Sequence, residues 1–155
     1  FEFVSVADQF IERLDELKGG AEDIGLGDAA DRARSFKARA QRLEAAAQEW
    51  RGRYANGNLK DETPAQILNT ALKRLSRTLV PLASTSCGAY DHDPYGYTPQ
   101  GTMIPSLYDV ARYTRLGDGE ARWMLGTQLV RDRNRIADAL GDCSRLIDET
   151  LRQLD

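Results

Sequence analysis

The sequence predicts an all-α fold: a four-helix-bundle-like domain, mostly antiparallel, with one extra short helix and a long C-terminal helix. Three observations carry this. Apolar residues recur at alternating steps of three and four over long stretches, which marks one face of a helix. Gly-Gly, Asn-Gly and Gly-Asp-Gly fall between those stretches, where helices stop. No stretch shows the strict apolar/polar alternation of a half-buried strand.

Ser5-Val6-Ala7-Asp8 has the form of a capping box and starts the first helix at Ser5. Val6, Phe10, Leu14 and Leu17 share its apolar face, and Gly19-Gly20 ends it, leaving "GGAEDIGLG" as a loop. The second helix runs from about Asp28 to Tyr54. Ala33, Phe36, Ala40, Leu43, Ala47, Trp50 and Tyr54 form an a/d seam whose alanines allow close approach of a neighbour. Asn56-Gly57 stops it. Thr63 is the expected N-cap of the third helix, with Pro64 at its first position and Pro81 at its end. Its buried face is Ile67, Leu68, Ala71, Leu72, Leu75 and Leu79. A short helix from about Ser106 to Leu116 buries Leu107, Val110 and Tyr113. The last runs from Glu120 to Leu154 and carries Leu125, Leu129, Ile136, Leu140, Cys143, Ile147 and Leu154 on one stripe, with Trp123 and Val130 alongside. At 1.5 Å per residue it spans about 50 Å, and Gly126 and Gly141 are the places where it would bend.

The chain has 155 residues, enough for one domain with a sizeable core, and 41% hydrophobic with 29% charged residues marks it as globular. A net charge of −3, with Asp and Glu interspersed among the arginines, gives no electrostatic basis for nucleic-acid binding. No apolar run approaches the ~20 residues of a membrane span, so no membrane segment is expected. Cys87 and Cys143 lack metal-ligand spacing and read as ordinary thiols, with a disulfide between them left open. The chain opens on Phe1 within apolar sequence, which reads as a single domain cut from a longer protein.

Candidate chemistry concentrates in "CGAYDHDPYGYTPQG", Cys87 to Gly101, which holds the single histidine. Asp91-His92-Asp93 has metal-ligand types, but consecutive side chains diverge and no second histidine completes a common site. His92 as a general base would need a nucleophile, and Ser84, Ser86 and Cys87 have no motif around them. Tyr90, His92, Tyr95 and Tyr97 therefore read as loop anchors or a pocket wall, and no catalytic or metal residue is assigned. Arg131 and Arg135, four apart, form a candidate carboxylate-binding pair unless Asp132 and Asp138 neutralise them. Asn134 is a candidate buried polar anchor. Trp50, Tyr54 and Trp123 are candidates for a partner interface, against burial in the core.

The order of these segments resembles a known family. "LNTALKRLSRTLVP", then "YDHDPYGYTP", then "IPSLYDV" before a long terminal helix is similar to the C-terminal helical domain of the glutamate carboxypeptidase and transferrin receptor family. Asn69, Leu72, Leu75 and Arg77 match its first motif, Tyr90, His92 and Tyr95 its second, and Pro105, Tyr108 and Asp109 its third. Pro94, Pro99 and Ser106 depart from it, and the loop from Tyr95 to Pro105 is shorter than in glutamate carboxypeptidase. The resemblance implies a non-catalytic dimerisation domain from the C-terminal end of a larger peptidase-like protein. It would pair as a homodimer, pack on its own catalytic domain and help close a substrate pocket there. Any zinc would belong to that catalytic domain and none to this chain. The competing expectations are a freestanding helical bundle that binds a partner protein or small ligand, and a small metal-dependent enzyme using Asp91, His92 and Asp93.

Overall fold

The two longest helices, α2 (Leu26–Ala55) and α5 (Glu120–Leu154), lie side by side and run parallel in the computed structural model. Their register is read from contacts that advance together: Gly25 beside Arg133, Arg32 beside Gly141, and Arg39 Nε donating to Asp148 Oδ2 at 2.8 Å. The structure describes residues 2–57, 61–87 and 103–154. Among these the secondary structure is helical, with α1 (Phe3–Lys18) and α3 (Thr63–Ser84) outside the central pair, a four-residue α4 (Val110–Tyr113), and single 3-10 turns at Glu22–Ile24 and Pro105–Leu107.

Helix α1 returns antiparallel along α2, tied by Lys37 to Asp8 at 2.6 Å and Arg34 to Asp15 at 2.6 Å. Helix α3 packs antiparallel on α5, with Ile67 and Thr70 near Leu146 and Thr150, and Thr78 near Cys143. The outer pairs thus have the antiparallel sense expected of most contacts, and the central pair does not. The core is filled by Phe3, Phe10 and Leu14 of α1, by Ala29, Ala33, Phe36 and Ala40 of α2, by Leu75 and Leu79 of α3, and by Leu129, Ile136, Leu140 and Ile147 of α5. Each large side chain so buried contributes about 1.5–3 kcal/mol before entropy is charged against it.

Four boundaries differ from the sequence expectation, each for a packing reason. Helix α1 starts at Phe3 rather than Ser5, because Phe3 is buried and the first-turn amide of Val4 is capped across the fold by Glu44 Oε1 at 3.1 Å. Helix α2 begins at Leu26, ahead of Asp28, on a left-handed Gly25 that buries Leu26. At α3 the N-cap position is Glu62 rather than Thr63, and just before it the Asp61 carboxylate accepts from the Thr63 amide and hydroxyl at 2.9 and 2.7 Å. Pro81 does not end α3. The helix continues to Ser84, burying Leu82, and the Pro81 carbonyl is taken by the Thr85 amide and hydroxyl at 2.9 and 2.8 Å. The Ala83 carbonyl accepts from the Ile104 amide at 3.1 Å, so the returning chain itself caps α3. The expected helix from Ser106 to Leu116 is broken into the 3-10 turn and α4, although Leu107, Val110 and Tyr113 are all buried as expected.

Gly126 and Gly141 do not interrupt α5. They admit neighbours: a Cβ at Gly126 would lie 3.0 Å from the Tyr113 ring, and one at Gly141 3.0 Å from Arg32 Nη1. Gly25 is more constrained, with φ +71 and Arg133 Nη1 only 2.6 Å from where a Cβ would stand. Gly25→Ala is therefore expected to cost about 1–2 kcal/mol in urea unfolding, whereas Gly52→Ala, facing open space within α2, should gain up to about 1 kcal/mol.

Candidate interaction groove

At the end of the bundle where α2 and α5 both begin, three segments converge on one carboxylate. The Glu22–Ile24 turn presents Asp23, α4 presents Tyr113, and the first turn of α5 presents Arg122. The Tyr113 hydroxyl donates to Asp23 Oδ2, and Arg122 Nη2 donates to the same oxygen at 3.1 Å. Arg122 Nη1 also donates to the carbonyls of Tyr113 and Leu116, both at 3.2 Å. Its guanidinium carbon sits 4.2 Å from the Tyr113 ring centroid, in cation–π range. The Tyr113 hydroxyl, and secondarily Arg122, hold the Asp23 carboxyl below the usual carboxylate range against an opposing desolvation. The same bond, with burial, pushes the Tyr113 phenol up.

This lock forms the floor of a groove of about 770 Å³, lined by Ile24, Tyr113, Gly126 and Val130, with Trp123, Thr127 and Arg131 contributed by α5. Trp123 is 82% exposed and the adjacent Met124 68%. Of the expected interface residues, only Trp123 offers its ring to solvent. Trp50 is half-buried on the core with the Arg53 guanidinium 4.7 Å from its ring centroid, and Tyr54 is half-buried with its hydroxyl donating to the Asp61 carbonyl.

Tyr90, His92, Tyr95 and Tyr97, with Asp91 and Asp93, lie outside the described residues. Arg131 and Arg135 do not act as a pair. Arg135 Nη2 lies 3.9 Å from Asp132 Oδ1, while Arg131 is exposed and makes no ion pair among the described residues. Asn134 is exposed, and the buried polar group of this stretch is Asp132, which accepts from Gln128 Nε2 at 3.1 Å and whose carboxyl burial pushes up. Cys87 and Cys143 are not joined in a disulfide. Burial pushes the Cys143 thiol up to about 12, far from a reactive thiolate. Among the described residues, no group of three or more His, Cys, Asp or Glu is arranged to hold a metal ion, and no helix is long and apolar enough to cross a membrane.

Periodicity gives no sign of the lock. Asp23 sits in a stretch that reads only as a loop, and its partners lie 90 and 99 residues away. Compared with family models, curated proteins and solved structures, the chain matches none of them. The transferrin-receptor-like resemblance rests on its motif residues alone. Of these, Leu75 and Pro105 are buried, while Asn69, Arg77 and Tyr108 are exposed.

Because the folded Asp23 carboxyl is depressed, its stabilisation is fully present above the ordinary aspartate pKa and is lost as pH falls through the lower folded value. Asp23→Asn is expected to lower Tm at pH 7, with the gap to wild type closing as pH is taken well below about 4. A gap that does not change between pH 7 and pH 2 would show that the carboxylate contributes nothing. Tyr113→Phe should lower Tm at pH 7 as well.

Proposed function

We propose that the chain is a non-catalytic helical dimerisation domain whose contact face lies on the N-terminal half of α5. The observation that carries this is the adjacent exposure of Trp123 and Met124 beside a groove lined in part by Ile24, Tyr113 and Val130, in a chain whose other tryptophan is packed on the core. Tryptophan and methionine are over-represented at interface centres, and each removes a large apolar area from water when covered. The family resemblance supports the same reading. In it the parent protein is a zinc-dependent exopeptidase or a relative that has lost its metals, and the segment from Tyr90 to Gly101 faces the catalytic domain. The groove also suits the second reading, a freestanding bundle that takes a different partner or a small ligand.

Light scattering across a concentration series separates these. Dimerisation predicts a mass that rises to twice the chain mass of 17.3 kDa. Trp123→Ala is expected to weaken the dimer about 30-fold or more, since a central tryptophan is typically worth about 2 kcal/mol or more. Trp50→Ala should leave the apparent dissociation constant within about threefold wherever the fold persists. A strictly monomeric chain at the highest attainable concentration counts against dimerisation and favours the second reading.

A further inference from the structure

We infer that the α5 face centred on Thr127 pairs with the same face of a second copy, antiparallel about a two-fold axis, so that Arg131 of each copy stacks on Trp123 of the other. This rests on the dimerisation reading and adds the register and the contact that selects it.

Trp123, Thr127 and Arg131 follow one another at steps of four and are all exposed. They form one strip on the outside of α5, opposite the buried stripe of Leu129, Ile136 and Leu140. Two of them carry complementary chemistry left unused among the described residues. The Trp123 ring is 82% exposed. Arg131 makes no ion pair or ring contact among the described residues, whereas Arg53 and Arg122 each already cover an aromatic ring. Trp123 and Arg131 are equidistant from Thr127, about 6 Å along the axis on either side. A two-fold axis through Thr127 therefore brings each guanidinium over the other copy's indole, twice per dimer.

The alternatives are disfavoured by the same residues. A parallel, in-register pairing would put Arg131 against Arg131 with no acid between them, and would align the helix macrodipoles unfavourably. A small residue at the axis suits close packing. At a usual interaxial distance of 8–10 Å, with Cα atoms about 2.3 Å from each axis, the two Thr127 Cα atoms would stand roughly 3.4–5.4 Å apart. The upper part of that span overlaps the range a disulfide bridges, about 4.4–6.8 Å.

The test is Thr127→Cys in a Cys87→Ser background, oxidised under native conditions, with dimer mass followed independently by light scattering. The expected result is a covalent dimer from Thr127→Cys and none from Asp138→Cys, whose sulfur would lie far from its symmetry mate. Arg131→Ala is expected to raise the dimer dissociation constant about tenfold or more, because two cation–π contacts are lost at once. A dimer that persists while Thr127→Cys fails to cross-link and Arg131→Ala has no effect overturns this register and leaves the dimerisation reading standing. A chain that stays monomeric removes both.

Discussion

The parallel contact between α2 and α5 is the constraint from which the remaining architecture follows. Two adjacent parallel helices cannot be joined by a tight turn, so the chain leaving α2 at one end must return the length of the bundle before α5 begins. Helix α3 makes the first part of that return, which is why it runs antiparallel to α5. Helix α1 travels the same way on the other side of α2. Two helices run up and two down, so the terminal partial charges of the parallel pair are balanced by the opposed ends of α1 and α3.

The same constraint explains where the groove is. With α2 and α5 running in the same direction, the Glu22–Ile24 turn, α4 and the first turn of α5 lie toward one end of the molecule. Three short pieces that would each be unstable alone are joined there through Asp23. The interaction is not an isolated surface ion pair of the kind that contributes little. Arg122 spends its donors on two backbone carbonyls and a carboxylate, and lays its plane on the ring that donates to the same carboxylate. The groove owes its floor to this arrangement, and its width to the absence of a side chain at Gly126.

Most of the helical layout is legible in the sequence because burial on one stripe imposes a period. The α2 seam is the clearest case: Ala33, Phe36, Ala40 and Leu43 are buried where their spacing puts them. Termini are less legible, since long-range contacts set them. Ser5 has the local chemistry of a cap, but burial of Phe3 and the Glu44 carboxylate from α2 decide where α1 starts. Pro81 has the local chemistry of a stop, but only its own amide is missing, and Leu82 still gains by continuing into the core. Trp123 is ambiguous for a different reason. It lies off the apolar stripe, and periodicity does not say whether a further neighbour covers that side. The polar groups of α5 are hard to tell apart at nearby positions: Asp132 is buried and Asn134 is not, a rotation of the helix by two residues.

Gly126 carries one more consequence. The first two turns of α5 hold an exposed tryptophan, an exposed methionine and a glycine, and the fully buried stripe begins only at Leu129. Glycine lowers the intrinsic helicity of that stretch by about 1 kcal/mol relative to alanine. Those turns are therefore anchored to the domain mainly through Arg122 and the Tyr113 ring, and their amides belong to the fraction that opens without global unfolding. The proposed contact surface thus lies on a lightly anchored stretch of the longest helix. Its occupation and its local order are then two readings of a single equilibrium, in which a bound partner slows hydrogen exchange along the start of α5 while the core of the bundle is unaffected.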